Sequence, residues 1–345
     1  MALNGLSQVF NFQLQSNMRN ISRRALMGVA GAAPIVDALK FTLNPDSQPG
    51  SITLTIPSGL TEQECTNIQY SLNGKTWVTY ENHGSGLTIT TPTLIAGDSV
   101  WFKGDASEIS KSGSVYSNFS CTQNMKISAE GSVMSLINNA VSLTDYAFFN
   151  LFRFCTSLTT APELPATTLA SRCYGNMFYG CTSLTTAPAL PATILSDYCY
   201  YGMFYGCTSL TSAPAQLPAT TLASHCYDGM FYNCTSLTTA PALPATILSD
   251  YCYYQMFYGC TSLTSAPALP ATTLKTRCYV NLFRGCSNLS KITMLATDIS
   301  ASNCLLNWVQ DVAATGTFIK NSAMTTLPTG TNGIPTGWTV QDYVG

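Results

Sequence analysis

The chain has 345 residues, room for two or three domains, but only 9% of them are charged and the formal net charge is −2. That balance offers no electrostatic footprint for nucleic acid or an anionic membrane. The 46% of hydrophobic residues and the 18 tyrosines exclude a disordered chain, and no apolar run is long enough for a transmembrane helix.

Residues 1–37 predict an N-terminal arm. "VFNFQLQ" alternates Phe10, Phe12 and Leu14 with polar residues, the period of a strand, and Ser16 is placed to cap a short helix running to Met27. So short an arm cannot fold alone and is expected to anchor on its own chain or on a partner. Within it, "SRRALMGVAGAAPIVDA" from Ser22 sets two arginines before a short apolar run, as a twin-arginine export signal does. Pro34 interrupts that run, so an ordered arm or helix is the competing reading.

Residues 38–128 predict a small all-β domain. "SITLTI", "IQYSL", "KTWVTY", "LTITT" and "SVWFKG" are short strand patterns, and Asn73-Gly74 is a two-residue hairpin signal because both residues tolerate positive φ. Their spacing suggests a sandwich of immunoglobulin or fibronectin type, a common spacer or docking module.

Residues 129–312 are repetitive. Cys155, Cys181, Cys207, Cys234, Cys260 and Cys286 are spaced 26, 26, 27, 26 and 26, and a second series, Cys173, Cys199, Cys226, Cys252, Cys278 and Cys304, keeps the same beat. The single 27 comes from Gln216. A fixed period in this range predicts a solenoid, and the degenerate copies at "LTDYAFFNLFRF" and "NCLLNWVQDV" predict its capping units. Residues 313–345, with strand patterns in "GTFIKN" and "GIPTGWTVQ", predict a C-terminal β cap.

Within one unit, Cys155 to Gly180, the apolar residues Leu158, Ala161 and Leu164 are three apart, which suits an arc with a short strand. Leu169, Cys173 and Met177 are four apart, which suits one face of a helical turn. Pro162 and Pro165 forbid a helix between them. The expected coil is a short strand, a proline corner and a helical return, giving a mixed α/β repeat solenoid in which each Leu158 equivalent stacks on the next.

"GCTSLTTAPALPATTL…CY..MFYGCTSL" resembles the BspA-like leucine-rich repeat family, whose pattern is roughly "AF.GC.SLTSI.LP" and whose members include bacterial surface proteins and phage proteins of gut bacteria. The resemblance covers Leu143 to Val312. The period of 26 is longer than the family's common one, and Ala-Pro replaces its β-branched strand residues, which weakens the expected strand. The whole layout of arm, β domain, repeats and tail is also similar to that of phage-encoded leucine-rich repeat proteins.

The cysteines carry several readings. Cysteine packs as a small hydrophobe, and in the family the position before "SLT" faces the core, so buried free thiols are expected. Disulfides are the alternative, though stacked equivalents would present parallel Cβ vectors, a poor geometry for a bridge. Zinc spacing is absent, and His83 and His225 fall in different domains, so neither metal nor cofactor is expected. His225 precedes Cys226, but adjacent residues on a coil point apart, and no nucleophile motif or distinguished acid pair is present, so no catalytic residue is assigned.

Some repeat positions vary while the core positions hold still, which places them on the surface. They include Arg172, Asn176, Asp197, Tyr198, Tyr201, His225, Asp228, Asp250, Tyr251, Tyr254, Lys275 and Arg277. Odd and even copies alternate, so a 52-residue pair is a candidate duplicated unit. Exposed tyrosine is an amphipathic contact residue, and this stripe reads either as an adhesive face or as ordinary surface drift.

The expectation is a non-enzymatic virion component, fibre or decoration, that presents its repeats to a host-surface glycan or protein. The layout likeness implies other virion proteins as partners through the arm and β domain, and homo-oligomerisation, as a trimer for a fibre. Nucleic acid and membrane insertion are not expected. An exported bacterial cell-surface adhesin is the alternative, and a carbohydrate-active enzyme a third class.

Overall fold

The computed structural model describes residues 38–344 apart from 62, 66, 82, 83 and 141. The expected N-terminal arm and His83 lie outside the described residues.

All five strand patterns of the β region form strands, together with three that the sequence reading did not single out. Residues Leu39–Leu43 (β1), Ile52–Ile56 (β2), Ile68–Ser71 (β3), Val78–Tyr80 (β4), Leu87–Thr90 (β5), Ser99–Lys103 (β6), Asn118–Cys121 (β7) and Ile127–Glu130 (β8) make two sheets. One runs β4-β3-β6-β1-β8 and continues into β9 (Leu158–Thr160); the other is β5-β2-β7. Alternate residues point inward, so Phe41 of β1 and Phe102 of β6 meet Phe119 of β7 at ring distances of 5.1 and 5.2 Å.

The immunoglobulin arrangement expected for this region is not the one found. There the first strand shares a sheet with the second. Here β1 lies antiparallel between β6 and β8, in the sheet opposite β2. The β3–β4 hairpin does form, but its loop is longer than two residues. Asn73 Oδ1 accepts hydrogen bonds from the Lys75 and Thr76 amides, and pairing starts only at Val78.

β8 spans residues on both sides of the expected 128/129 boundary and pairs in parallel with β9 of the first coil. One hydrophobic core runs through both regions. At the C-terminal end, Lys291–Met294 (β10), Thr317–Lys320 (β11) and Thr339–Asp342 (β12) form a parallel sheet, so the expected β cap adds two strands in the direction of the coils.

Between β9 and β10 the strands shrink to single parallel bridges, such as Thr160 to Thr186 and Thr186 to Ser212. The prolines beside them have no amide to extend a ladder. Gln216 is accommodated here too: it bridges to Ala242 while the Leu217 amide donates to the Ala242 carbonyl.

The helical return is corrected by the structure. The only helix among the described residues is one 3-10 turn, Val133–Leu136. In the return, amides alternate between two destinations. Cys173, Gly175, Met177 and Tyr179 donate to the carbonyl three residues back, whereas Tyr174, Asn176, Phe178 and Gly180 donate to the next coil at Cys199, Tyr201, Met203 and Tyr205. Every fourth residue is left-handed: Arg172 (φ 54°), Asn176 (φ 52°) and Gly180 (φ 71°). This is a chain of β-turns with a period of four, and it puts Leu169, Cys173, Met177 and Cys181 inside as a helix face would.

The interior is built of ladders. Leu158, Leu184, Leu210, Leu237, Leu263 and Leu289 are fully buried, one per coil, as expected for the stacked leucine position. Phe119 of β7 begins an aromatic stack that continues through Phe152, Phe178, Phe204, Phe231, Phe257 and Phe283, with ring centroids 5.4 to 5.7 Å apart. Phe148, Tyr174, Tyr200, Tyr227, Tyr253 and Tyr279 form a second stack. Trp308 covers the end of both, its indole N–H donating to the Gly333 carbonyl.

Candidate functional site

The left-handed positions of the return form three rows along the stack. The first contains Tyr146, Arg172, Tyr198, His225, Tyr251, Arg277 and Asn303. A left-handed conformation costs a non-glycine residue about 1–2 kcal/mol, and six bulky side chains accept it in succession. Their contacts offset it. The Arg172 guanidinium lies 4.1 Å from the Tyr198 ring, His225 stacks at 4.4 Å on Tyr198 and at 4.4 Å on Tyr251, and Arg277 lies 5.6 Å from Tyr251. Cation–π and ring contacts are each worth about 0.5–1.5 kcal/mol, comparable with the strain. Arg277 Nη1 also donates to the Tyr251 hydroxyl at 2.9 Å, and Arg172 Nη1 to the Tyr146 hydroxyl at 3.3 Å. The column therefore alternates tyrosine with a basic side chain, one partner per coil.

Five of the twelve sequence-selected residues, Arg172, Tyr198, His225, Tyr251 and Arg277, are brought together in this column. Asp197 and Asp250 stand beside it with a structural task. Asp197 Oδ1 accepts the Ser224 amide and Asp250 Oδ1 the Thr276 amide, each at 3.0 Å, just as Asp145 Oδ1 accepts the Ser171 amide at 2.9 Å. The Ser224 hydroxyl donates onward to the Asp250 carbonyl. An aspartate coil thus abuts a serine coil, which gives the alternation of copies a physical reason. Lys275 is exposed one residue before Thr276.

Tyr201, Asp228 and Tyr254 share one position in successive coils, with Gly175 and Val280 on either side. Asp228 is buried, and its Oδ2 lies 2.7 Å from His225 Nδ1. Burial raises its carboxyl above the usual range, and the His225 hydrogen bond offsets only part of that. Asn176 lies in the second left-handed row, its Oδ1 only 2.4 Å from where a Cβ on Gly202 would stand; Gly202 itself has φ +56°. Glycine is required there for both reasons.

A second outer column was missed by sequence reasoning because its residues do not vary. Tyr179, Tyr205, Tyr232 and Tyr258 stack at 4.5, 4.3 and 4.5 Å, with Phe154 at one end and the Arg284 guanidinium at the other. The invariant Tyr in "MFYGC" is its sequence signal.

All 14 cysteines are free thiols, and only Cys121 is not fully buried. Cys181, Cys207, Cys234, Cys260 and Cys286 each aim Sγ at the carbonyl of a phenylalanine in the preceding coil, 3.0 to 3.1 Å away. Burial pushes Cys207 and Cys286 up to about 12. Cys155, the first rung, instead meets Cys121 Sγ at 3.9 Å. Among the described residues no group of three or more His, Cys, Asp or Glu side chains could hold a metal ion, and no helix is long and apolar enough to cross a membrane.

Stacked coils with buried identical ladders and a patterned outer face define a repeat protein of leucine-rich character, mostly strands and turns, with no closed barrel among the described residues. The family description for a BspA type leucine-rich repeat region, in six copies, matches residues 128–255 and 202–307, together just over half of the chain. The chain belongs to the BspA-type leucine-rich repeat family. A solved leucine-rich repeat protein from Bacteroides ovatus ATCC 8483 is similar at 15% identity over 63% of this chain and 75% of that one, with a TM-score of 0.21. No curated protein matches.

Proposed function

We propose that this protein is a non-enzymatic adhesion protein whose outer columns bind a glycan or protein on a cell surface. The observation that carries the reading is the alternating column of Tyr198, His225 and Tyr251 between Arg172 and Arg277, held on a rigid core in strained backbone conformations. Preorganised aromatic and arginine side chains lose little entropy on contact. Wild-type protein should adhere to host cells, and a variant with Arg172, Tyr198, Tyr251 and Arg277 replaced by Ala should lose at least about tenfold in adhesion while still folding and melting cooperatively at a lower temperature. Equal adhesion by the two proteins would remove the reading.

The setting we propose is a virion, as a fibre or decoration protein anchored to other virion proteins through the arm and β region, and self-associating there. Peptides of this chain in purified particles are the expected finding, and their absence would overturn that setting. Display on a bacterial surface is the second reading, favoured by Arg23-Arg24 before an apolar run. A mature form beginning near Leu39 would select it.

A further inference from the structure

The aromatic rings of the outer face are of two kinds. Most have their π-faces occupied by a neighbour. Tyr198 is covered by Arg172 and His225, Tyr251 by His225 and Arg277, and Tyr205 by Tyr179 and Tyr232. Such rings show solvent only an edge. Tyr201 and Tyr254 differ. Their equivalents in the adjoining coils are Gly175, Asp228 and Val280, none of which carries a ring. Tyr198, whose own faces are covered, meets Tyr201 in an edge-to-face contact at 69°, and Tyr251 meets Tyr254 at 46°, so neither tyrosine carries a ring stacked parallel on it. Tyr198 and Tyr251 lie nearly parallel through His225, at 7° and 15° to it, so both free rings are rotated out of the stacking direction. Tyr201 is 39% exposed, and Tyr254 is half-buried.

The spacing of these two platforms follows from the duplication. They stand two coils apart, and the flanking ring columns advance 4.4 Å and 5.7 Å per coil, so the rings repeat at roughly 9–11 Å, about two sheet spacings. That is the length of the repeating disaccharide in an extended β-linked polysaccharide. Asp228 lies between them at the same position of the intervening coil. The Asn176 amide packs on Gly202 beside Tyr201, and Gln255 follows Tyr254 directly. Half-exposed aromatic rings with amide groups at their margins match a sugar ring, which has an apolar C–H face and a rim of hydroxyls.

We propose that Tyr201 and Tyr254 are paired stacking platforms for an extended β-linked glycan that lies along the stack, one disaccharide per two coils, with Asn176 and Gln255 meeting its hydroxyls. This rests on the adhesion reading above and selects glycan over protein as the partner.

The test is calorimetric titration of the full chain with cellohexaose, chitohexaose and, as a coiled α-linked control, maltohexaose. At least one of the first two should bind and maltohexaose should not. Tyr201→Ala and Tyr254→Ala should each weaken binding about tenfold or more, and Tyr201→Trp and Tyr254→Trp should retain it. Tyr343→Phe, exposed just after β12 and outside both outer columns, should leave it unchanged. Binding to none of the three sugars, equal binding of maltohexaose, or unchanged binding by the two alanine variants would overturn the proposal. Whole-cell adhesion is measured beside it. A protein that still adheres but binds no hexaose loses the glycan platforms and keeps the adhesion reading; a protein that adheres to nothing loses both.

Discussion

Each coil adds one rung to an inner ladder and one to an outer column, and the two obey different rules. Inside, Phe178, Phe204, Phe231 and Phe257 repeat without change, because a buried ring packs best on a copy of itself at fixed spacing. Outside, Arg172, Tyr198, His225, Tyr251 and Arg277 alternate, because two neighbouring guanidinium groups would repel whereas a guanidinium and a ring attract, and the His225 ring stacks between two tyrosines. Identity stabilises the inner ladder and complementarity the outer one. A complementary pair needs two coils, so this column repeats at twice the period of the core, whereas the outer Tyr179 to Tyr258 column keeps the core's own period.

The sharpest way to break this comparison is chemical. Mild alkylation of the native protein should leave the inner thiols untouched and reach Cys121 first, slowly, since contact with the Cys155 thiol and burial both raise it. Mass spectrometry of modified peptides reads the order, and ready labelling of Cys207 or Cys234 without denaturant would contradict the buried ladder.

Next in size is truncation of an inner rung. Phe231→Ala should cost about 3–5 kcal/mol in denaturant unfolding, because both neighbours, Phe204 and Phe257, lose a face. A cost below about 1 kcal/mol would mean that the coils close over the gap. Asp197→Ala, which removes only the carboxylate that accepts the Ser224 amide, should cost about 1 kcal/mol. If the two losses were equal, the inner and outer rows would not differ as described.

The smallest effect is on pH. Burial raises the Asp228 carboxyl in the folded protein, so the folded state holds this proton more tightly than the unfolded one. Stability from this group is greatest below the unfolded value near 3.8 and declines as pH rises through the folded value. Asp228→Asn should remove that part of the decline in pH-dependent melting, and an unchanged profile would count against the burial of this carboxyl.

Much of the fold is legible in the sequence. The cysteine beat marks the coil, the Leu158 series marks its core, and five of the eight β-region strands follow from alternation. The candidate site is legible in part. Variation pointed to Arg172, Tyr198, His225, Tyr251 and Arg277, but it also pointed to Asp197 and Asp250, which cap the next coil. It could not point to Tyr179 or Tyr205, which never change.

Periodicity by itself determined the number of coils, the buried rows and the paired unit, because those depend on which residues recur at a fixed offset. Only the tertiary structure decided what the return segment is. A helix and a chain of turns both bring every fourth residue to one face. They differ in where alternate amides go, and here Tyr174, Asn176 and Phe178 bond to a coil about 25 residues away. The place of β1 between β6 and β8, and the lack of a parallel stacked ring at Tyr201 and Tyr254, are likewise set by neighbours remote in sequence, which no local pattern encodes.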